Sequence, residues 1–175
     1  KRSLSLETVM KELIKCANTR REAKNILQRK ELLVDGKRRK DIKIPVGLMD
    51  VVSIPETGEN YRIMIGSKGD IKSVPIKKDE SLLKPCRITG KTIRKGGSVQ
   101  LNLSDSRNIT VGKDDKKPYT VGDTVMISLP SQEIKDHFKL EKGAFIYLIG
   151  GSHTGKKGKV DEIKDKVITD RKSVV

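Results

Sequence analysis

The residues with the clearest chemical potential lie in Tyr147–Val160, which reads YLIGGSHTGKKGKV. A glycine, four further residues, Gly155 and Lys156 have the spacing of a phosphate-binding loop, in which backbone N–H groups and a lysine hold a nucleotide. Such a loop needs Ser or Thr directly after the lysine to coordinate magnesium, and a helix whose N-terminus faces the phosphates. Here Lys157 follows, and Gly158 stands where the first helical turn would form. The pattern therefore predicts strand, loop and strand, with no nucleotide cofactor.

The histidines and cysteines are the other candidates for catalysis or metal binding. His137 and His153 have no neighbouring Cys or carboxylate at the spacing of a zinc site or a catalytic dyad. We expect His137 on a surface helix and His153 in the glycine-rich loop. Cys16 and Cys86 also lack zinc spacing, and a reduced cytoplasmic setting is the default for two cysteines this far apart. The sequence thus predicts no catalytic residue, no metal and no cofactor.

Charge indicates the class of partner. Lys and Arg total 38 against 23 Asp and Glu, a net charge of +15. An excess of this size attracts phosphate backbones and releases their counterions, so a polyanion is the leading partner over a merely charged surface. Aromatic residues are only 3% of the chain, which disfavours extensive base stacking and favours contacts with structured RNA or duplex. No apolar run approaches a membrane span and no signal peptide is visible.

Two helices and a hairpin are predicted in the first segment, residues 1–54. Apolar residues recur at helical spacing from Leu6 to Ala17, with Ser5 as a candidate N-cap. A second helix begins after Thr19, which forms a capping box with Glu22. Asp35-Gly36 is a strong hairpin turn between two short strand-like runs, and LMDVVSIP predicts a further strand.

The segment 1–54 holds 14 basic and 7 acidic residues, and its basic residues are clustered. If the second helix packs its apolar stripe inward, its polar face and the hairpin form one cationic surface. Four consecutive basic residues after a turn repel one another unless an anion is near, which favours RNA contact over a solvated helix face and polar turn. The candidate RNA-binding residues are Arg20, Arg21, Lys24, Lys37, Arg38, Arg39 and Lys40.

The middle segment, residues 55–142, reads as β-structure. Its short alternating or β-branched runs are YRIMI, IKSVPI, CRITGKTI, SVQLNL, NITV and DTVMISL, separated by turn sequences. Turns at this frequency are typical of an all-β barrel or sandwich. SQEIKDHF predicts a short helix capped by Ser131. The last segment, residues 143–175, contains the strand–loop–strand pattern described above.

Three stretches resemble known families. TRREA, LLVDGK and MDVVSI, in that order after a helix, resemble the small RNA-binding domain shared by bacterial small-subunit ribosomal protein four, tyrosyl-tRNA synthetase and several pseudouridine synthases. That resemblance implies RNA contact by the second helix and the hairpin. GAFIYLIGGSHTGKKGKVDEI resembles the KOW motif of ribosomal proteins and transcription elongation factors. By resemblance it assigns RNA contact to Lys156, Lys157 and Lys159, and His153 becomes a candidate hydrogen-bonding residue.

The three segments, in this order, resemble the e-type family of small-subunit ribosomal protein four, found in archaea and eukaryotes. That family has a further basic N-terminal extension, and this sequence begins after it. The resemblance implies an α+β multidomain fold: a helical-hairpin RNA-binding domain at 1–54, a β-rich central domain at 55–142 and an SH3-like KOW β-barrel at 143–175.

The function implied is that of a structural protein of the small ribosomal subunit. We expect small-subunit rRNA and neighbouring ribosomal proteins as partners, a cytoplasmic, ribosomal location, a monomer outside the ribosome, and no membrane. Two alternatives stay open: an RNA-modifying enzyme or its accessory subunit, and a KOW-type transcription or translation factor. The RLD setting of a pseudouridine synthase's catalytic Asp does not occur in this sequence.

Overall fold

The computed structural model describes residues 3–29, 31–94, 97–112, 118–164 and 167–170. Over these ranges the chain is mostly β with a few short helices. None of the described helices is long and apolar enough to cross a membrane. The chain forms two compact units: unit 1 is Lys1–Met64, Ile71–Pro85 and Met126–Lys135, and unit 2 is Ile65–Asp70, Cys86–Val125 and Asp136–Val175.

The first predicted helix has the expected apolar face but changes its hydrogen bonding. It consists of an α-helical turn, α1 (Leu6–Thr8), followed by a π-helix, Val9–Ile14. The Ser5 hydroxyl caps it as predicted, accepting a hydrogen bond from the Thr8 N–H at 3.3 Å. The helix ends at Lys15, whose left-handed φ of 61° reverses the chain, and the Cys16 N–H bonds to the Met10 carbonyl. This wide closing turn, which periodicity alone cannot predict, accounts for the π geometry.

The second helix, α2 (Arg20–Arg29), begins as the sequence predicts. The Thr19 hydroxyl accepts from the Glu22 N–H at 3.2 Å, and the Glu22 carboxylate accepts from the Asn18 N–H at 2.8 Å. Glu22 thus reaches the N–H of the residue before the cap rather than that of Thr19 itself, a variation on the predicted capping box in which both donors still have partners. Ala23 and Leu27 are fully buried and so fix the polar face outward.

Unit 1 is built on an antiparallel sheet of order β3-β2-β5-β6-β7, with a separate pair, β1–β4. These strands are β1 (Ser3–Ser5), β2 (Leu33–Val34), β3 (Lys37–Arg38), β4 (Pro45–Gly47), β5 (Val51–Ile54), β6 (Glu59–Ile65) and β7 (Ile71–Pro75). Asp35 and Gly36 have φ of 51° and 72°, so the predicted β2–β3 hairpin turns through two left-handed residues. Leu6, Val9, Leu27, Val52 and Ile63 belong to the core that joins the helices to the sheet.

A second antiparallel sheet has the order β10-β9-β8-β11-β12. Its strands are β8 (Leu83–Ile93), β9 (Val99–Leu103), β10 (Asn108–Val111), β11 (Thr124–Ser128) and β12 (Ile134–Phe138), and a short helix, α3 (Lys78–Ser81), precedes β8. The six strands predicted in the middle segment are thus confirmed. In unit 2, buried residues of this sheet include Ile88, Leu101, Leu103 and Val125.

The helix predicted for SQEIKDHF is wrong, since the last five residues of this stretch form β12. Gln132 has a left-handed φ of 65°, and the Ser128 N–H donates to the Glu133 carbonyl at 2.8 Å, which closes a turn after β11. Alternation along β12 points His137 inward and Phe138 outward, so His137 does not lie on a surface helix. The run is too short for propensity to outweigh strand pairing.

The described part of the last segment contains three antiparallel strands in the order β13-β14-β15. They are β13 (Phe145–Tyr147), β14 (Lys157–Lys164) and β15 (Val167–Asp170). The predicted strand, loop and strand are therefore confirmed, and Lys157 begins a strand rather than a helix. The nucleotide loop geometry is absent from this described stretch.

Candidate nucleic-acid interface

The predicted cations of unit 1 lie on α2 and on the hairpin with the two residues after it, and of them Arg20, Lys24 and Lys40 line one depression. We call them the helix–hairpin surface: Arg20, Arg21, Lys24, Lys37, Arg38, Arg39 and Lys40. All are exposed except Arg39, which is half-buried. Because Ala23 and Leu27 of α2 face the core, the three predicted cations of this helix face solvent. The hairpin cations follow the two-residue turn directly, beginning at Lys37.

The chain after β3 is tied to the first helix by backbone hydrogen bonds. The Leu6 N–H donates to the Ile44 carbonyl at 2.9 Å and the Glu7 N–H to the Ile42 carbonyl at 3.0 Å. These bonds bring the basic stretch after the hairpin beside α2. An open depression results, lined by Arg20, Lys24, Lys40, Asp41, Ile42 and Lys43.

Most cations around this depression have no counterion among the residues that the structure describes. Arg20 Nε lies 3.6 Å from Glu7 Oε2, an exposed contact worth little. Asp41 Oδ1 accepts from the Lys43 N–H at 2.9 Å and so serves the local turn. Within the described ranges, no ion pair involves Lys24, Lys40 or Lys43. A bound anion such as phosphate would relieve their mutual repulsion.

The four hairpin cations differ in exposure and in ion pairing, which their consecutive positions in the sequence do not indicate. Arg38 Nη1 lies 3.7 Å from Glu31 Oε1. The Arg39 N–H donates to the Leu32 carbonyl, and its buried Nε has no hydrogen-bond partner among the described residues. Lys37 and Lys40 are exposed and form no ion pair with another described residue, so their ammonium groups are the more accessible of the four hairpin cations.

A buried ion network holds the base of this hairpin. The Lys84 ammonium, at the start of β8, lies 2.7 Å from Asp35 Oδ2 and 2.5 Å from Asp50 Oδ1. Asp35 Oδ1 accepts from the Val51 N–H at 2.9 Å, and Asp50 Oδ2 from the Gly47 N–H at 2.7 Å. The turn residue Asp35 is therefore fixed at both carboxylate oxygens.

Burial and charge act in opposite directions in this network. Burial alone would lower the pKa of Lys84, but the two carboxylates, first Asp50 and then Asp35, raise it above its ordinary value. Burial raises the pKa of Asp50, because desolvation of its carboxylate and repulsion from Asp35 outweigh the attraction of one ammonium. Lys84 therefore stays charged and its removal would leave two carboxylates without their cation.

The second basic surface, in unit 2, contains His153, Lys156, Lys157 and Lys159, and we call it the glycine-loop surface. All four residues are exposed: His153 and Lys156 lie in the loop before β14, and Lys157 and Lys159 lie on β14 itself. Pairing explains the strand lysines: Lys157 lies opposite Tyr147 and Lys159 opposite Phe145, while Gly158 lies opposite Ile146. Because side chains alternate along a strand, Lys157 and Lys159 share one face and Gly158 faces the other way.

Close backbone packing fixes the loop of this surface. Gly155 has φ of +79°, and a Cβ there would overlap the Gly66 carbonyl and lie 2.8 Å from the Ser67 nitrogen. The Gly155 N–H donates to the Leu148 carbonyl at 2.7 Å. Only glycine permits this approach, so the sequence's second phosphate-loop glycine has a packing role.

The Tyr147 hydroxyl adds a second attachment for the same hairpin. It accepts a hydrogen bond from the Ile65 N–H at 3.0 Å and donates one to the Ile65 carbonyl. A phenol satisfied on both sides restrains β13.

His137 has a structural environment that sequence reasoning missed. Its Nε2 lies 2.8 Å from Asp123 Oδ2, its side chain is 7% exposed, and the Tyr119 ring packs against it. Burial tends to raise the pKa of Asp123, but hydrogen bonds from the Leu140 N–H, His137 and the Thr120 N–H lower it overall. No cluster of His, Cys, Asp and Glu in the described ranges could hold a metal, and both cysteines are free thiols.

Two further residues escaped sequence reasoning. Lys43 lies two positions after Asp41 in the same basic stretch, and its place beside α2 depends on the backbone bonds to the first helix. Lys84 interrupts the apolar sequence LLKPC, and a lysine within such a run is a signal for a buried partner. Nothing local identified Asp35 and Asp50 as those partners.

Comparison with known proteins places the chain. The family described as Ribosomal family S4e matches residues 57–134, and the S4 domain matches residues 7–52. Small ribosomal subunit protein eS4 of Methanocaldococcus jannaschii is 44% identical over 171 residues, which cover 95% of this chain and 69% of that protein. The protein of the same name from Methanococcus vannielii is 42% identical over 173 residues, covering 95% and 70%.

A solved structure agrees with these sequence matches. The crystal structure of 30S ribosomal protein S4e from Thermoplasma acidophilum has a TM-score of 0.82 to this chain at 30% identity. The match covers 95% of this chain and 84% of that one. With this fold, these identities and both sequence matches, the chain belongs to the ribosomal protein S4e family.

Proposed function

We propose that this chain is a structural constituent of the small ribosomal subunit, and that it binds folded ribosomal RNA through the helix–hairpin and glycine-loop surfaces. The observation that carries the proposal is the depression beside α2, where cations from two separate segments converge with one carboxylate. The relatives of this chain are named as small ribosomal subunit proteins. Membership of a ribosomal protein family confirms the interpretation that the chain is not an enzyme.

The chemistry of both surfaces suits phosphate rather than base edges. Lysine and arginine heads around an open depression contact backbone oxygens, which position a protein on RNA without reading sequence. Folded RNA presents such oxygens in a fixed arrangement, so recognition by shape follows from the spacing of the cations.

The finer assignments follow from the same proposal. Residues 1–54 act as the helical-hairpin RNA-binding domain, 55–142 as the β-rich domain for neighbouring ribosomal proteins, and 143–175 as an SH3-like KOW barrel. The free chain is a monomer that functions in cytoplasmic ribosomes. Sedimentation velocity of the purified chain tests the monomer directly.

The test is binding to the 5′ domain of small-subunit rRNA against an unrelated folded RNA of equal length, across a salt series. We expect a preference for the 5′ domain that persists at physiological salt. Equal affinity for both RNAs at every salt concentration would contradict the proposal.

The depression is tested by the triple variant Lys24→Ala, Lys40→Ala and Lys43→Ala. Each lost phosphate contact should reduce the salt slope by roughly one, so the triple variant should lose about three. A matched control, Lys68→Ala, Lys77→Ala and Lys78→Ala, removes the same charge from exposed positions outside both surfaces. Equal slopes for the two triple variants would remove the depression from the interface.

A further inference from the structure

Phe145 is an exposed aromatic residue in a chain that has few of them. The sequence contains two Phe, three Tyr and no Trp. Phe145 is 73% exposed at the start of β13. A phenyl ring contributes to stability when it is removed from water, so this ring contributes little to folding.

The surroundings of this ring are cationic. Strand pairing places Lys159 directly opposite Phe145, and its Nζ lies 5.8 Å from the ring centroid. Lys157 lies on the same face, opposite Tyr147. An ammonium over an aromatic face is a cation–π contact, but it covers little of a ring that is three-quarters exposed.

The ring also stands on a fixed support. The Val160 N–H donates to the Ala144 carbonyl at 3.0 Å, which continues the β13–β14 pairing just before Phe145. The Tyr147 hydroxyl attaches the same strand to Ile65. A rigid aromatic residue loses little conformational entropy when a partner stacks on it.

We propose that Phe145, with Lys157 and Lys159, forms a stacking site for one unpaired nucleobase of RNA. The inference rests on the proposed RNA-binding function and names the RNA feature that this part of the glycine-loop surface takes. The base stacks on the phenyl ring, and the two ammonium groups contact the phosphates on either side of it.

The lysines around the Phe145 ring favour a nucleotide over a protein side chain as its binding partner. Lysine is depleted at the cores of protein–protein interfaces, because its ammonium is strongly hydrated and costly to bury. A nucleotide supplies both an apolar planar face and an anion in one ligand. One stacking residue is also compatible with a composition that disfavours extended single-strand binding.

The absence of tryptophan from the sequence provides a direct probe. In Phe145→Trp the only indole of the protein lies at the proposed site, and stacking of a base on it quenches its fluorescence. The variant is titrated with a single-stranded ten-residue oligoadenylate, a fully paired RNA duplex of equal length, and the 5′ domain of small-subunit rRNA. We expect quenching by the oligoadenylate and the 5′ domain, and little by the duplex.

Phe138 is the matched control. It is the other phenylalanine, 55% exposed on β12, and alternation places Asp136 on its face of the strand. Phe138→Trp should show no quenching by the oligoadenylate. Phe145→Ala should weaken 5′-domain binding about five- to a hundredfold, the range for one stacked base, whereas Phe138→Ala should leave it unchanged.

The outcomes separate this site from the function on which it rests. If the wild-type chain prefers the 5′ domain but Phe145→Trp is not quenched and Phe145→Ala binds normally, the stacking site is wrong and the proposed function stands. Such a result would indicate that Phe145 instead packs against an apolar side chain of a protein partner. If the wild-type chain binds no RNA preferentially, the proposed function fails. Quenching of Phe145→Trp by the oligoadenylate would then be nonspecific stacking, and the proposal of an rRNA stacking site at Phe145 would be overturned with it.

Discussion

The helix–hairpin surface is anchored by a buried ion network, whereas the glycine-loop surface is anchored by close backbone packing. In the first, Lys84 joins Asp35 of the hairpin turn to Asp50, the residue before β5. In the second, Gly155 contacts the Gly66 carbonyl region without any charge. Both present lysines to solvent, so similar surfaces result from different interior physics.

The difference concerns what each anchor tolerates. A buried charge network depends on every member, because a charge that loses its partner must be desolvated alone. A glycine contact depends on volume and on a left-handed backbone, and it is indifferent to charge. Substitutions that separate these two requirements should therefore affect the two surfaces differently.

The largest effect is expected from Lys84→Met, which keeps the side-chain volume and removes the ammonium. The buried Asp35 and the partly buried Asp50 then lose the Lys84 ammonium, and we expect the free energy of unfolding to fall by about 3–5 kcal/mol. Urea unfolding followed by circular dichroism measures the change. Lys77→Met, at an exposed position, should change stability by less than about 0.5 kcal/mol.

A compensated variant sharpens this result. Combining Lys84→Met with Asp35→Asn and Asp50→Asn removes all three charges and should recover part of the loss, since the uncompensated charge causes most of it. A triple variant that is no more stable than Lys84→Met would show that packing, and not charge, anchors the hairpin.

Gly155→Ala should have the next largest effect, on the other anchor. The new Cβ requires left-handed backbone and overlaps the Gly66 carbonyl, which together cost roughly 2–4 kcal/mol. Gly151→Ala is the control, because Gly151 has φ of +81° and an added Cβ there would meet nothing within 4 Å. It should cost only the backbone strain, about 1–2 kcal/mol. Equal losses for the two variants in urea unfolding would contradict the packing role of Gly155.

Tyr147→Phe should have a smaller effect on the glycine-loop anchor. It removes the hydroxyl that bonds to both the N–H and the carbonyl of Ile65, at a cost of about 1–2 kcal/mol. Amide hydrogen exchange should accelerate at Ile65 and leave Val51, in the other anchor, unchanged. Unaltered exchange at Ile65 would mean that the hydroxyl is dispensable.

The smallest effect is expected from the titration of Asp123, whose surroundings differ from those of Asp50. Asp123 resembles Asp50 in accepting the N–H of the residue three positions earlier, but its other partners are His137 and the Leu140 N–H. The folded pKa of Asp123 is lowered, so its contribution to stability is present above the unfolded pKa of about 3.9 and is lost as pH falls through the folded pKa.

This assignment is measured by the amide chemical shifts of Thr120 and Leu140, whose N–H groups donate to Asp123. Both should titrate with a midpoint below about 3.9. The titration should vanish from both amides in Asp123→Asn. A midpoint above the ordinary aspartate value would reverse the expected pH dependence.

Local sequence patterns predicted most of the secondary structure. The Ser5 cap, the Thr19 cap and the Asp35-Gly36 turn depend on neighbouring residues alone, and all three occur as expected, although Glu22 reaches back to Asn18 rather than to Thr19. The error was SQEIKDHF, where strand pairing after β11 and the inward contact of His137 outweighed a weak helical pattern. A contact with Asp123, fourteen positions away, leaves no trace in local periodicity.

The sequence by itself determined that the chain is basic, that its lysines and arginines cluster after a capped helix and a hairpin, and that the glycine-rich stretch joins two strands. Those features depend on charge, capping and turn chemistry, which act over a few residues. Only the tertiary structure decided which cations converge, since Lys43 reaches α2 through bonds between the first helix and Ile42 and Ile44. It also decided that Lys84 pairs with Asp35 and Asp50, because a buried charge takes whichever opposite charge folding brings within reach.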